Sequence, residues 1–93
     1  MEGCSPDISS ERRATYLARR RAELETCRAA LKSGQINIIR EIAHKLKGNC
    51  DTFGFPEWTD IAVKLEKACV TENKQAIFAE FHRLEESILQ LPA

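Results

Sequence analysis

A chain of 93 residues is long enough for one modest hydrophobic core and too short for two. With 43% of its residues hydrophobic and 30% charged, it falls among ordinary globular domains and outside the range of disordered segments. Fourteen basic and fourteen acidic residues cancel, which gives no support to a nucleic-acid or anionic-membrane binder, and no apolar run approaches the roughly 20 residues that span a bilayer.

Residues 1–9 contain Gly3, Pro6 and Asp7 without sustained periodicity and are expected to form a flexible lead, at most with a short extra turn of helix. Ser9 or Ser10 can then cap a helix over 11–32, rich in Ala, Leu, Arg and Glu, with apolar positions at Ala14, Leu17, Leu24, Cys27 and Leu31. Ser33 and Gly34 end it, the glycine sitting where a left-handed cap is needed. Arg19, Arg20 and Arg21 lie inside this helix and point in three different directions. They read as a solvated face and not as one basic patch, with Arg20 or Arg21 at most at the rim of a partner surface.

The second helix should run from Gln35 or Ile36 to Thr52 or Phe53, where Gly54 and Pro56 break the pattern. A third follows from the stripe Trp58, Ile61, Ala62, Leu65, Ala68 and Cys69 and closes around 70–72, with Asp60 and Lys64 paired across one turn on its wet side. Asn73 can cap the fourth, whose stripe is Ile77, Phe78, Phe81, Leu84, Ile88 and Leu91 and which Pro92 stops. Phe53 and Phe55 are expected to anchor the turn between the second and third helices. Links of roughly two to five residues favour antiparallel neighbours. The fold class is therefore all-α: an antiparallel up-down-up-down four-helix bundle over residues 10–93, expected as a monomer. Cys4, Cys27, Cys50 and Cys69 are widely spaced, with no C-x-x-C pair and no signal peptide, which predicts reduced thiols in a cytoplasmic protein.

One helix of the four looks specialised. Ile39, Ile42, Ala43, Leu46, Cys50 and Phe53 cluster within roughly 60° of one direction around the second helix, whereas His44 lands about 140° away, among Arg40, Lys47, Gly48 and Asp51. The imidazole should face solvent. Gly48 costs about 1 kcal/mol relative to alanine in a helix interior, and a physical reason to keep it is the close approach of a partner to His44 one turn back. Lys47 is near enough to neutralise an anion at the imidazole.

That combination suits a phosphoryl group. An imidazole in water, with an ordinary pKa of about 6.5, keeps a free lone pair at neutral pH and can act as a nucleophile. The chain shows no Gly-rich phosphate loop, no carboxylate cluster for Mg²⁺ and no nucleotide pocket, so it should carry a phosphoryl group without extracting one from ATP and needs no cofactor of its own. Two distant histidines and dispersed cysteines do not make a zinc site, and His82 reads as a surface histidine.

The run from Ala43 to Phe55, A-H-K-L-K-G-N-C-D-T-F-G-F, resembles the histidine-containing phosphotransfer (HPt) domains of two-component phosphorelays, and its T-F-G-F ending looks like the phosphotransfer domain of chemotaxis histidine kinases. The resemblance implies a four-helix bundle with His44 as phosphoacceptor, Lys47 as charge support, and Gly48 as the small residue that lets a partner dock. Arg40 and Asp51 then belong to the partner-binding face. The implied partners are response-regulator receiver domains and sensor or hybrid histidine kinases, with the Mg²⁺ of the reaction held in the receiver. Asp51 departs from the small or neutral residue usual at its position; it can repel a phosphoryl group, or pair with Lys47 four residues earlier. It motivates the alternative of a silent helical adaptor that docks a receiver or kinase without being phosphorylated.

Overall fold

The computed structural model describes residues 10–91, so the lead over 1–9, Cys4 and Pro92 lie outside the described residues. Four helices follow in order: α1 (Ser10–Ser33), α2 (Ile36–Asn49), α3 (Glu57–Val70) and α4 (Lys74–Leu89). Each packs on the next in sequence and α1 closes on α4, while the diagonal pairs stay apart; this is the expected antiparallel bundle. None of the helices among the described residues is long and apolar enough to cross a membrane.

The links show why the chain turns where it does. Gly34 takes φ +75°, and the Gln35 amide reaches back to the Ala30 carbonyl at 2.9 Å, which satisfies an orphan carbonyl at the end of α1. Gly54 takes φ +92°, and the Phe55 amide reaches the Cys50 carbonyl at 2.9 Å. A β-carbon at Gly54 would stand 3.3 Å from Arg13 Nε, a contact that a small shift of the arginine relieves, so it is the backbone that requires glycine there. The α2–α3 link is longer than expected because regular helix ends at Asn49 and residues 50–54 continue as looser turns.

At the third link the left-handed position is held by Glu72, φ +54°, with the Asn73 amide on the Ala68 carbonyl at 3.0 Å. Asn73 caps α4 as expected, its Oδ1 accepting from the Ala76 amide at 3.1 Å. A glutamate at positive φ is strained where glycine is not. Glu72→Gly is therefore expected to stabilise the bundle by about 1 kcal/mol, read as a rise of several degrees in the thermal midpoint; an unchanged or lower midpoint would show that the strain is absent.

The core follows the predicted stripes with instructive exceptions. Ile39, Ala43, Leu46 and Cys50 of α2, Trp58, Ile61, Ala62, Leu65, Ala68 and Cys69 of α3, and Ile77, Phe81, Leu84 and Ile88 of α4 are buried. Phe78 is 57% exposed, because adjacent residues diverge by about 100° and Ile77 already occupies the inward direction. On α1, Leu17, Leu24 and Cys27 are buried, but Ala14 is exposed and Leu31 only half-buried; Tyr16 and Ala30 fill the face. Ala14 lies roughly a third of a turn from the mean direction of that face.

Tyr16 was the missing member. Its ring stacks on Phe53 at 4.2 Å, Phe55 stacks on Trp58 at 4.1 Å, and Arg13 and Arg20 lie over the Phe55 and Tyr16 rings at 4.9 and 4.5 Å. The Tyr16 hydroxyl donates to Asn49 Oδ1 at 2.6 Å, and burial raises its pKa. This stack pins the α2–α3 turn against α1, the anchoring role expected of Phe53 and Phe55. Cys27, Cys50 and Cys69 are free, buried thiols, and burial together with Glu23 pushes Cys27 up to about 12.

Candidate functional site

α2 is positioned by its buried stripe, and that stripe decides what faces water. With Ile39, Ala43 and Cys50 fully buried, the His44 side chain on the opposite side is 67% exposed. Arg40, Gly48 and Asp51 are exposed as well, and Lys47, nearer the stripe, is half-buried and leans towards α3.

The residue that organises these groups comes from α3 and carries no motif. Glu66 receives His44 Nδ1 on one carboxylate oxygen at 2.8 Å and Lys47 Nζ on the other at 2.6 Å. An ionised carboxylate only accepts hydrogen bonds, so Nδ1 carries the proton and Nε2 keeps its lone pair. Because the two ring nitrogens point in nearly opposite directions, anchoring Nδ1 on α3 turns Nε2 away from the bundle.

Lys47, then His44, hold the Glu66 carboxyl below its usual value of 4.5. The charged form is favoured in the folded chain, so this tie between α2 and α3 is complete above that value and is lost only as pH falls through the lowered pKa. Lys47 does not pair with Asp51. Glu66 lies on the side to which the lysine leans, whereas Asp51 sits past the regular end of α2 and makes no ion pair among the described residues.

Gly48 borders empty space: a β-carbon there meets nothing within 4 Å. Nothing among the described residues therefore requires glycine, and its helix cost has no compensation within them. Arg40, one turn before His44, lines an open groove of about 680 Å³ with Asn37, Glu41, His44, Lys45 and Glu66. His82 on α4 is 66% exposed and stands 3.7 Å from Glu85 and 3.6 Å from Glu86, neither a hydrogen bond, as befits a surface histidine. Among the described residues no group of three or more His, Cys, Asp or Glu side chains is arranged to hold a metal ion.

Chemically, the constellation offers a solvent-facing imidazole lone pair, a carboxylate that fixes its tautomer, and an ammonium beside it. Comparison with known proteins points the same way: the family model described as an Hpt domain matches residues 12–93. No curated protein and no solved structure matches the chain. Hpt domains are four-helix bundles that carry a histidine for phosphotransfer and work with kinases and response regulators. With that match running from the first turn of α1 to the last residue, over a bundle that presents a histidine on its second helix, the chain belongs to the Hpt domain family of phosphorelay signalling.

Proposed function

We propose that His44 accepts a phosphoryl group on Nε2 and passes it to or from an aspartate of a response-regulator receiver domain. The observation that carries this is the Glu66 contact, which leaves Nε2 as the nucleophilic nitrogen. In the accepting direction the Nε2 lone pair attacks phosphorus, the bond between phosphorus and the aspartyl oxygen breaks, and the aspartate leaves as a carboxylate with that electron pair. The Nδ1 proton stays in place. The product ring is formally cationic and its phosphoryl group dianionic, so Glu66 faces the positive charge that develops.

Lys47 supplies charge support beside the phosphoryl group, Gly48 admits the partner's backbone, and Arg40 and Asp51 meet the partner. Any Mg²⁺ belongs to the receiver's acidic site. ATP is left to the kinase.

Incubation with phosphorylated receiver domains should place an acid-labile, base-stable label on His44. Binding without label would establish the silent adaptor instead, and recovery of label in Asp51→Gly would identify the carboxylate as the cause. Glu66→Ala is expected to slow acceptance on the order of 10- to 100-fold with the helix signal unchanged, because the ring loses its fixed tautomer and orientation. Glu66→Gln, which retains an acceptor oxygen, should recover part of the rate. Full activity of Glu66→Ala would remove the carboxylate from the mechanism.

A further inference from the structure

α4 carries two stripes. Ile77, Phe81, Leu84 and Ile88 point inward and build the core. One residue further on, Phe78, His82, Glu85 and Leu89 repeat the same spacing of four, three and four, about 100° around the helix. Phe78 and Leu89 are 57% and 55% exposed and the His82 side chain 66%. A single exposed apolar residue needs no explanation, but two at seam spacing on one side of a helix are what a second helix packs on. The monomer expected from the sequence leaves this second stripe in water.

The order of the four residues says which helix fits. Apolar residues stand at the two ends and a histidine and a glutamate between them, so the stripe turned end over end is complementary to itself: Phe78 meets Leu89, and His82 meets Glu85. The ground beside the stripe agrees. Phe78 forms one wall of an apolar groove of about 370 Å³ with Leu31, Ile36 and Ile39, and the charged side chains that line it, Lys32 and Lys74, are both cationic. Arg28 on Glu85 and Arg21 on the Leu91 carbonyl fix α1 against α4 so that Lys32 is level with Phe81. With Leu89 of a second copy seated on Phe78, that copy's Glu86, whose side chain is 60% exposed here, comes level with Phe81 as well and faces Lys32.

We propose that two copies of this chain pair through α4, antiparallel, about a twofold axis between Arg83 and Leu84, with each Phe78 on the partner's Leu89 and each His82 on the partner's Glu85. The two apolar layers supply the affinity, and the charged layers with the Lys32 to Glu86 contact set the register. α2 lies diagonally across the bundle from α4, without contact to it, and His44 points away from the core. Pairing through α4 therefore leaves the imidazoles of both copies uncovered.

The test is sedimentation equilibrium of the whole chain. A contact along one 16-residue helix is of weak, transient size, with a dissociation constant on the order of 100 µM, so the mean mass should rise from 10.5 kDa towards twice that value as the concentration reaches about 1 mM. Phe78→Lys and Leu89→Asp, both at exposed positions, should each stay monomeric at that concentration with an unchanged helix signal. Mixed in equal amounts the two variants should pair again, because the mixed dimer sets the introduced ammonium on the introduced carboxylate and keeps one layer of Phe78 on Leu89. A wild type that is still monomeric at about 1 mM leaves the stripe to some other protein and overturns the proposal. A dimer that survives either substitution overturns it by placing the contact elsewhere, and a mixture that stays monomeric overturns the antiparallel register.

Discussion

His44→Gln is expected to abolish acid-labile phosphorylation completely while leaving the bundle intact. The side chain is 67% exposed, and its hydrogen-bond partner, Glu66, keeps Lys47 when the ring is removed. Surface substitutions of this kind stay within about 0.5 kcal/mol, or a few degrees in the thermal midpoint of a domain this size. Glutamine also offers an amide donor in place of Nδ1. Residual acid-labile label would move the acceptor elsewhere, with His82 the remaining histidine to examine. A fall of ten degrees or more would show that the ring supports the core.

The largest effect on stability is expected at Trp58. Its ring is wholly buried, stacks on Phe55, and donates Nε1–H to Ser87 Oγ at 2.7 Å, joining α3 to α4 and, through Phe55 and Tyr16, to α1. Trp58→Ala should cost about 3–5 kcal/mol. A small domain has a total of about 5–15 kcal/mol, so the helix signal should melt at least about 12 °C lower. Trp58→Phe retains a stacking ring but leaves the Ser87 hydroxyl without its donor, an expected loss of about 1–2 kcal/mol. A Trp58→Ala midpoint within a few degrees of the wild type would mean that the aromatic stack adds little.

These two residues mark what the sequence alone could show. His44 was legible because a helix of 3.6 residues per turn sorts positions into two sides, and the apolar set of α2 leaves no doubt which side is buried. Trp58 was legible for the same reason on α3. Glu66 was not, because its importance depends on how two helices stand against each other. Folding α2 and α3 back about Phe55 does set residue 66 level with residue 44, and that symmetry was the one signal that pointed to it. Tyr16 escaped notice because its burial rests on a stack with Phe53 and Phe55 from a distant turn, and Phe78 was misplaced because it lies about a quarter of a turn from the direction shared by Ile77, Phe81, Leu84 and Ile88. The Arg19 to Arg21 run was read as three diverging side chains on a solvated face, and only the fold showed Arg20 held by Glu23 and Arg21 on the Leu91 carbonyl.

The three links share one device, a left-handed residue followed by an amide that reaches back into the helix just ended. Each hairpin can therefore set its own geometry before the rest of the chain is in place, while the closure of α1 on α4 and the Tyr16 stack on Phe55 and Trp58 wait for distant segments. Helical chains with such local connectivity fold in microseconds to milliseconds. Protein partners at about 1 µM meet a given molecule only every ~0.1 to 10 s. A bundle that opens by thermal fluctuation thus recloses before the next encounter, and every arriving partner finds the histidine already set.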